Sequence, residues 1–307
     1  MRILTQMGGG VADAIAAAAP DAEVVVVPLR GPVPSEIDGQ ALVASHRADN
    51  LVELARRGVE WIHFFGTGVD GMPPEILTGR TVTCSRGAGA VPISEWVLAM
   101  MLAFEKRLPD AWVGDPPEHW GWTQLGGLSG RTLGLVGLGG IGSAVATRAL
   151  AFDMDVRAVR RTEAPSPVPG VTVVPSLGEL LAVADHLVVA APATPRTMHL
   201  LDEEVFSAVK PGIHLVNIAR GTMVDQDALR AALDDGRVAL ASLDVCDPEP
   251  LPAGHWLYSH PKVRLSPHIS WSSPALTGRI VELLADNVRR FAAGQPLEGV
   301  VDPAERY

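Results

Sequence analysis

Apolar residues in this chain gather in short runs separated by turn residues, and between the runs lie segments whose apolar side chains recur at helical spacing. The runs at 2–5, 23–27, 41–45, 61–65 and 81–84 predict strands. Between them, the Ala-rich segment 11–19 predicts a helix stopped by Pro20, and 51–57 a helix closed by Gly58. A second series of strands is predicted at 132–136, 156–160, 171–174, 187–191, 213–219, 239–245 and 263–266. Strands apolar on both faces that alternate with helices are the pattern of parallel sheets.

The segment joining the two series carries Pro92 for a first helical turn, Glu95 near the positive helix end, and apolar residues nearly all round over 96–108. It predicts a buried crossover helix. An irregular stretch, 109–128, follows, whose Trp112, Trp120 and Trp122 read as core or interface anchors. Asp225 is placed to cap a helix through Leu233, with Val224 and Leu229 as a hydrophobic staple and Gly236 past the end. A long helix over 274–293 leads back to the first series. The predicted fold class is therefore α/β, with two Rossmann-like doubly wound parallel-sheet domains. The first, 1–92 with 273–307, is discontinuous; the second is 93–272.

Composition narrows the function. A chain of 307 residues that is 47% hydrophobic can bury two medium cores. A net charge of −10 argues against nucleic acid or an anionic membrane as partner. No apolar run approaches the roughly 18 residues of a membrane span, so a cytoplasmic protein is expected. Cys84 and Cys246 lack C-x-x-C spacing and the histidines lack H-E-x-x-H spacing, so neither a disulfide framework nor a catalytic metal is expected.

The chemistry centres on Gly137, Gly139 and Gly142, which satisfy G-x-G-x-x-G between a predicted strand and a predicted helix. The first glycine permits the tight turn, the second lets a pyrophosphate approach the backbone, and the third lets helix pack on strand. Arg220, Glu249 and His268 each lie just past a predicted strand end, the edge where open α/β sheets bind ligands. The turn 66–70 is rich in small residues that let backbone amides reach a ligand.

These motifs, with the segment 187–201, Val216-Asn-Ile-Ala-Arg-Gly221, Leu243-Asp-Val-Cys-Asp-Pro-Glu-Pro250 and Ser266-Pro-His-Ile-Ser270, resemble the NAD(P)-dependent D-isomer-specific 2-hydroxyacid dehydrogenases over nearly the whole chain. The resemblance implies Arg220 as the ligand of the substrate's carboxylate and carbonyl, His268 as acid/base and Glu249 as its partner. It implies substrate-carboxylate amides at Thr67 and Gly68, and Asp244 near the nicotinamide carboxamide. Cofactor contacts are implied for Gly137, Gly139, Gly140, Ile141, Gly142, Ala191, Pro192, Ile218, Ala219 and His268. An Arg offers a planar fork to a carboxylate, and a Glu beside a His orients the ring and favours its charged form.

Where many relatives carry an Asp after the second Rossmann strand, this chain has Arg160, Arg161 and Thr162. Cations there favour the 2′-phosphate, so NADP(H) is the expected cofactor, with NAD(H) as the alternative. Formate enzymes of similar sequence place Gln at the position of Glu249, and phosphite enzymes a Lys within 66–69; neither is present. The expected activity is reduction of a small 2-oxo acid, of the glyoxylate or hydroxypyruvate kind, to a D-2-hydroxy acid. The small-substrate expectation rests on Phe64, Phe65 and Trp271 crowding the site. A dinucleotide-sensing corepressor is the alternative class, disfavoured by the acid/base pair. A homodimer through the Rossmann domain is expected.

Overall fold

The computed structural model describes residues 1–161 and 164–305. The chain divides into two compact units, Met1–Gly89 with Ser273–Tyr307, and Ala90–Ser272. No helix among the described residues is long and apolar enough to cross a membrane.

The first unit runs β1 (Arg2–Thr5), α1 (Gly10–Ala18), β2 (Glu23–Val26), β3 (Ala41–Ala44), α2 (Leu51–Ala55), β4 (Trp61–Phe64), α3 (Pro74–Leu77) and β5 (Thr81–Cys84). The sheet order is β2-β1-β3-β4-β5, all parallel. Period-two alternation buries both faces. Ile3, Ala41, Val43 and Trp61 pack with Ile15 of α1 and with Leu284 and Val288 of the helix Leu276–Ala292, while Leu4, Leu42, Ile62, Phe64 and Val82 pack on the other side.

The second unit runs α4 (Ala90–Glu105), β6 (Thr132–Val136), α5 (Gly140–Leu150), β7 (Asp155–Val159), β8 (Thr172–Val173), α6 (Leu177–Leu181), β9 (His186–Val189), α7 (Glu203–Ala208), β10 (Ile213–Asn217), α8 (Gln226–Asp234), β11 (Val238–Leu243) and β12 (Val263–Leu265). Its sheet order is β12-β11-β10-β9-β6-β7-β8, again all parallel. Counted from β6, this is the dinucleotide-binding order 3-2-1-4-5-6 with one further strand, and the order reverses between β6 and β9. Leu133, Leu135, Val188 and Val216 face the layer of α4 and α5, whereas Val136, Leu187, Val189 and Leu215 face the opposite core. Asp225 caps α8, accepting from the amides of Asp227 and Ala228, and Val224 and Leu229 are both buried.

Three expectations change. Helix α4 is not buried all round, because Val91, Glu95 and Ala99 are exposed on one side of it. Trp112, Trp120 and Trp122 are 73%, 76% and 77% exposed, which rules them out as core anchors of this chain. Phe64 is fully buried, so it cannot crowd a substrate, an apolar side chain inside a sheet core being unavailable to ligand; Phe65 is partly buried against the core of the first unit.

Candidate functional site

In an all-parallel sheet every strand delivers its carboxyl end to the same edge. Along that edge of the second unit stand Gly137 after β6, Arg160 after β7, Ala191 and Pro192 after β9, Ile218 to Arg220 after β10, Asp244 after β11 and His268 beyond β12.

The turn after β6 is built around glycines for steric reasons. Gly137 has φ +99°, and a β-carbon there would sit 2.8 Å from the Ala191 amide nitrogen and 2.9 Å from the Ala190 carbonyl oxygen. A β-carbon on Gly142 would overlap the Gly137 carbonyl, so helix and strand meet at that residue. Gly139 caps α5 with no side chain of its own; Gly140 and Ile141 open the helix, whose first-turn N–H groups point at the edge. This cradle, open only because side chains are missing, fits the pyrophosphate of a dinucleotide.

Beyond β7, Arg160 is half-buried as a residue and donates from Nη1 to the Pro165 carbonyl at 3.1 Å, while Arg161 is exposed. Thr162 lies outside the described residues.

Strand β10 stops at Asn217, two residues short of the predicted end, because the Asn217 side chain turns the backbone. Its Oδ1 accepts from the Ala219 amide and its Nδ2 donates to the Arg220 carbonyl, both at 3.0 Å. Arg220 emerges half-buried, with Nη1 donating to the Ala219 carbonyl at 2.6 Å. His268 and Glu249 meet directly: His268 Nδ1 donates to Glu249 Oε2 at 2.8 Å, and Glu249 Oε1 accepts from the Cys246 amide at 3.1 Å. Both side chains line a cavity of about 550 Å3 together with Asp244, Cys246, Tyr258 and Ser266. Burial, with Glu249 and Asp247 nearby, pushes the Cys246 thiol up to about 11. Asp244 is almost fully buried, and its carboxylate accepts from Ser266, Ile269 and Ser270.

Thr67 and Gly68 belong to the first unit, in the loop after β4. Their carbonyls are taken, Thr67 O by the Cys84 thiol at 3.4 Å and Gly68 O by His46 Nε2 at 2.6 Å. Their N–H groups donate to no protein acceptor among the described residues. His46 was not singled out in the sequence. It packs so closely that a β-carbon on Gly66 would lie 2.8 Å from its Cε1, a long-range contact without a local signal.

Comparison with known proteins agrees with this architecture. Residues 98–270 match the family model described as D-isomer specific 2-hydroxyacid dehydrogenase, NAD binding domain. The chain is 34% identical to D-3-phosphoglycerate dehydrogenase of Bacillus subtilis over 243 residues, 77% of this chain, although it spans only 46% of that protein's length. It is 32% identical to glyoxylate reductase of Thermofilum pendens over 269 residues, covering 84% of this chain and 79% of that one. A solved D-isomer specific 2-hydroxyacid dehydrogenase of Xanthobacter autotrophicus Py2, in complex with NADPH and MES, superposes with TM-score 0.87 at 27% identity, covering 100% of this chain and 99% of the other. With the family model matching more than half of the chain and the all-parallel strand order consistent with a dinucleotide-binding domain, the chain belongs to the D-isomer specific 2-hydroxyacid dehydrogenase family.

Proposed function

We propose that this protein reduces a small 2-oxo acid of the glyoxylate or hydroxypyruvate kind to a D-2-hydroxy acid, with NADPH preferred over NADH. The observation that carries the reading is the 2.8 Å bond from His268 Nδ1 to Glu249 Oε2 at the carboxyl edge of a sheet with dinucleotide-binding order. The nicotinamide group, when bound, supplies the hydride. Glu249 orders the His268 ring through Nδ1, which directs Nε2 at the substrate carbonyl, and His268 gives up its proton there as the alcohol forms. Arg220 supplies a permanent planar cation for the substrate carboxylate. Gly137 to Gly142, Ala191, Pro192, Ile218 and Ala219 would line the cofactor, the small residues admitting its phosphates and ring to the backbone.

NADPH preference rests on Arg160, which stands directly past β7 where an acidic residue would repel a 2′-phosphate. A charge-assisted bond contributes about 1.5–3 kcal/mol, a preference of roughly tenfold to a hundredfold. The small-substrate reading is supported by the glyoxylate reductase among the relatives; the phosphoglycerate enzyme makes phosphohydroxypyruvate the competing substrate to include. A homodimer through the second unit is proposed, with the exposed Trp112, Trp120 and Trp122 as its anchors.

The test is NADPH oxidation over a panel of glyoxylate, hydroxypyruvate, phosphohydroxypyruvate and phenylpyruvate. Glyoxylate or hydroxypyruvate is expected to give the highest kcat/KM, and His268→Ala to lower kcat by about 10²- to 10⁴-fold. Arg160→Asp is expected to lose NADPH use. Turnover on no 2-oxo acid, with tight cofactor binding retained, would move the protein to the dinucleotide-sensing class.

A further inference from the structure

His268 occupies a backbone conformation that L residues rarely adopt, with φ +55°. Such a turn persists only where its surroundings over-determine it. Here the surroundings are chiefly one side chain. Asp244, at the carboxyl end of β11 and 1% exposed, accepts from Ser266 Oγ at 2.5 Å and from the Ile269 amide at 2.9 Å on Oδ1, and from the Ser270 amide at 2.9 Å on Oδ2. The three donors bracket His268 on both sides. The Trp271 indole closes the turn from outside, donating to the His268 carbonyl at 2.7 Å. Asp244 is tied in its turn to the neighbouring strand, since its amide donates to the Asn217 carbonyl, and Asn217 arranges the Arg220 backbone through its own side chain.

Three of the roughly four acceptor positions of the Asp244 carboxylate are thus taken by the turn that carries His268. We propose that Asp244 is a positioning residue: its carboxylate fixes the turn 266–270 so that His268 stands both against Glu249 and toward the substrate. The inference rests on the reading of His268 as proton donor, and it gives Asp244 a part in the proton-transfer machinery. In Asp244→Asn the amide group faces at least one N–H or O–H donor with another donor, so the turn loses one or more of its ties.

The experiment measures Asp244→Asn, Ser266→Ala, His268→Ala and the double variant Asp244→Asn/His268→Ala, with glyoxylate as substrate and NADPH binding followed separately by tryptophan fluorescence. Asp244→Asn is expected to lower kcat by about 10²-fold, the usual effect of a 1 Å misplacement of a reacting group, with NADPH Kd within about threefold of wild type. In the His268→Ala background the same substitution is expected to change kcat by less than about twofold, because it acts through His268. Ser266→Ala, which removes one donor and spares the backbone, is expected to lower kcat by several-fold, and it carries the test if Asp244→Asn does not fold. An NADPH affinity that falls tenfold or more while kcat at saturation is kept would overturn the proposal in favour of a direct cofactor contact. Additive losses in the double variant would overturn it as well. Should His268→Ala itself retain turnover, the proton-donor reading falls and takes this inference with it; should His268→Ala be inactive and both Asp244→Asn and Ser266→Ala be normal, the inference alone falls.

Discussion

Gly221 follows Arg220 directly, and the peptide joining Cys246 to Asp247 crosses its α-carbon so closely that an added β-carbon would overlap the Cys246 carbonyl group and lie 2.6 Å from the Asp247 amide nitrogen. Ordinary contact between carbon and its neighbours needs about 3.5–4.0 Å, so Gly221→Ala forces the 246–247 backbone back by roughly 1 Å or more. That backbone is the support of Glu249: the Cys246 amide holds Oε1 at 3.1 Å, and Oε2 holds His268 Nδ1 at 2.8 Å. The displacement is therefore passed to the proton donor. A 1 Å error in a reacting group costs about 10²-fold in rate, and overpacking a dense site costs about 1–3 kcal/mol of stability. We expect kcat with glyoxylate and NADPH to fall about 100-fold and urea unfolding to shift by about 1–3 kcal/mol. Gly278→Ala is the control, since a β-carbon there, in the helix Leu276–Ala292, meets nothing within 4 Å. It should leave kcat unchanged and stabilise the fold by about 0.4–1 kcal/mol. A Gly221→Ala protein with kcat within twofold of wild type would refute the argument that this backbone crossing positions Glu249.

His63 is fully buried between the Thr83 and Ser85 hydroxyls, at 2.8 and 3.1 Å, and burial pushes its imidazole down from 6.5 to about 4. Its neutral form thus contributes stability that is present above pH 6.5 and lost as pH falls toward 4, about 3 kcal/mol at about 1.4 kcal/mol per pH unit. In His63→Asn this part of the acid slope should vanish; parallel stability profiles for the two proteins between pH 7 and 4 would contradict it. The Cys246 thiol, raised from 9.0 to about 11, holds roughly a hundredfold less thiolate than an ordinary thiol. Alkylation by iodoacetamide near neutral pH should be slower than that of free cysteine by about that factor, and labelling at the free-cysteine rate would show that Cys246 is not held in this environment.

Strand membership was legible because it is a local property. Residues 132–136 or 213–217 are apolar on both faces whatever lies beside them, and their alternation with helices leaves a parallel sheet as the economical way to bury them. The cap at Asp225 and the turn at Gly137 were equally readable, since each depends on chemistry within a few residues. The ends of strands were less so: β10 halts at Asn217 because that side chain bonds the chain ahead of it, not because the apolar run has ended. Sequence by itself also determined which residue types stand at the strand ends, hence the family and the glycine, arginine, glutamate and histidine of the candidate site.

What only the tertiary structure decided is how those residues are held. Asp244 and Ser270 are 26 positions apart, Gly221 meets Cys246, and His46 supports Gly66 and Gly68; none of these pairings leaves a periodic trace, because each partner is brought in by a different strand. The same holds for exposure. An apolar run such as 90–105 states that a helix forms, but how much of its surface is covered depends on what packs on it, which is why Val91 lies in solvent while Val97 is fully buried. Phe64 lies in the core and Trp112 outside it for the same reason: burial is a property of the assembled sheet and its layers, and local sequence determines only which side chains are available to be buried.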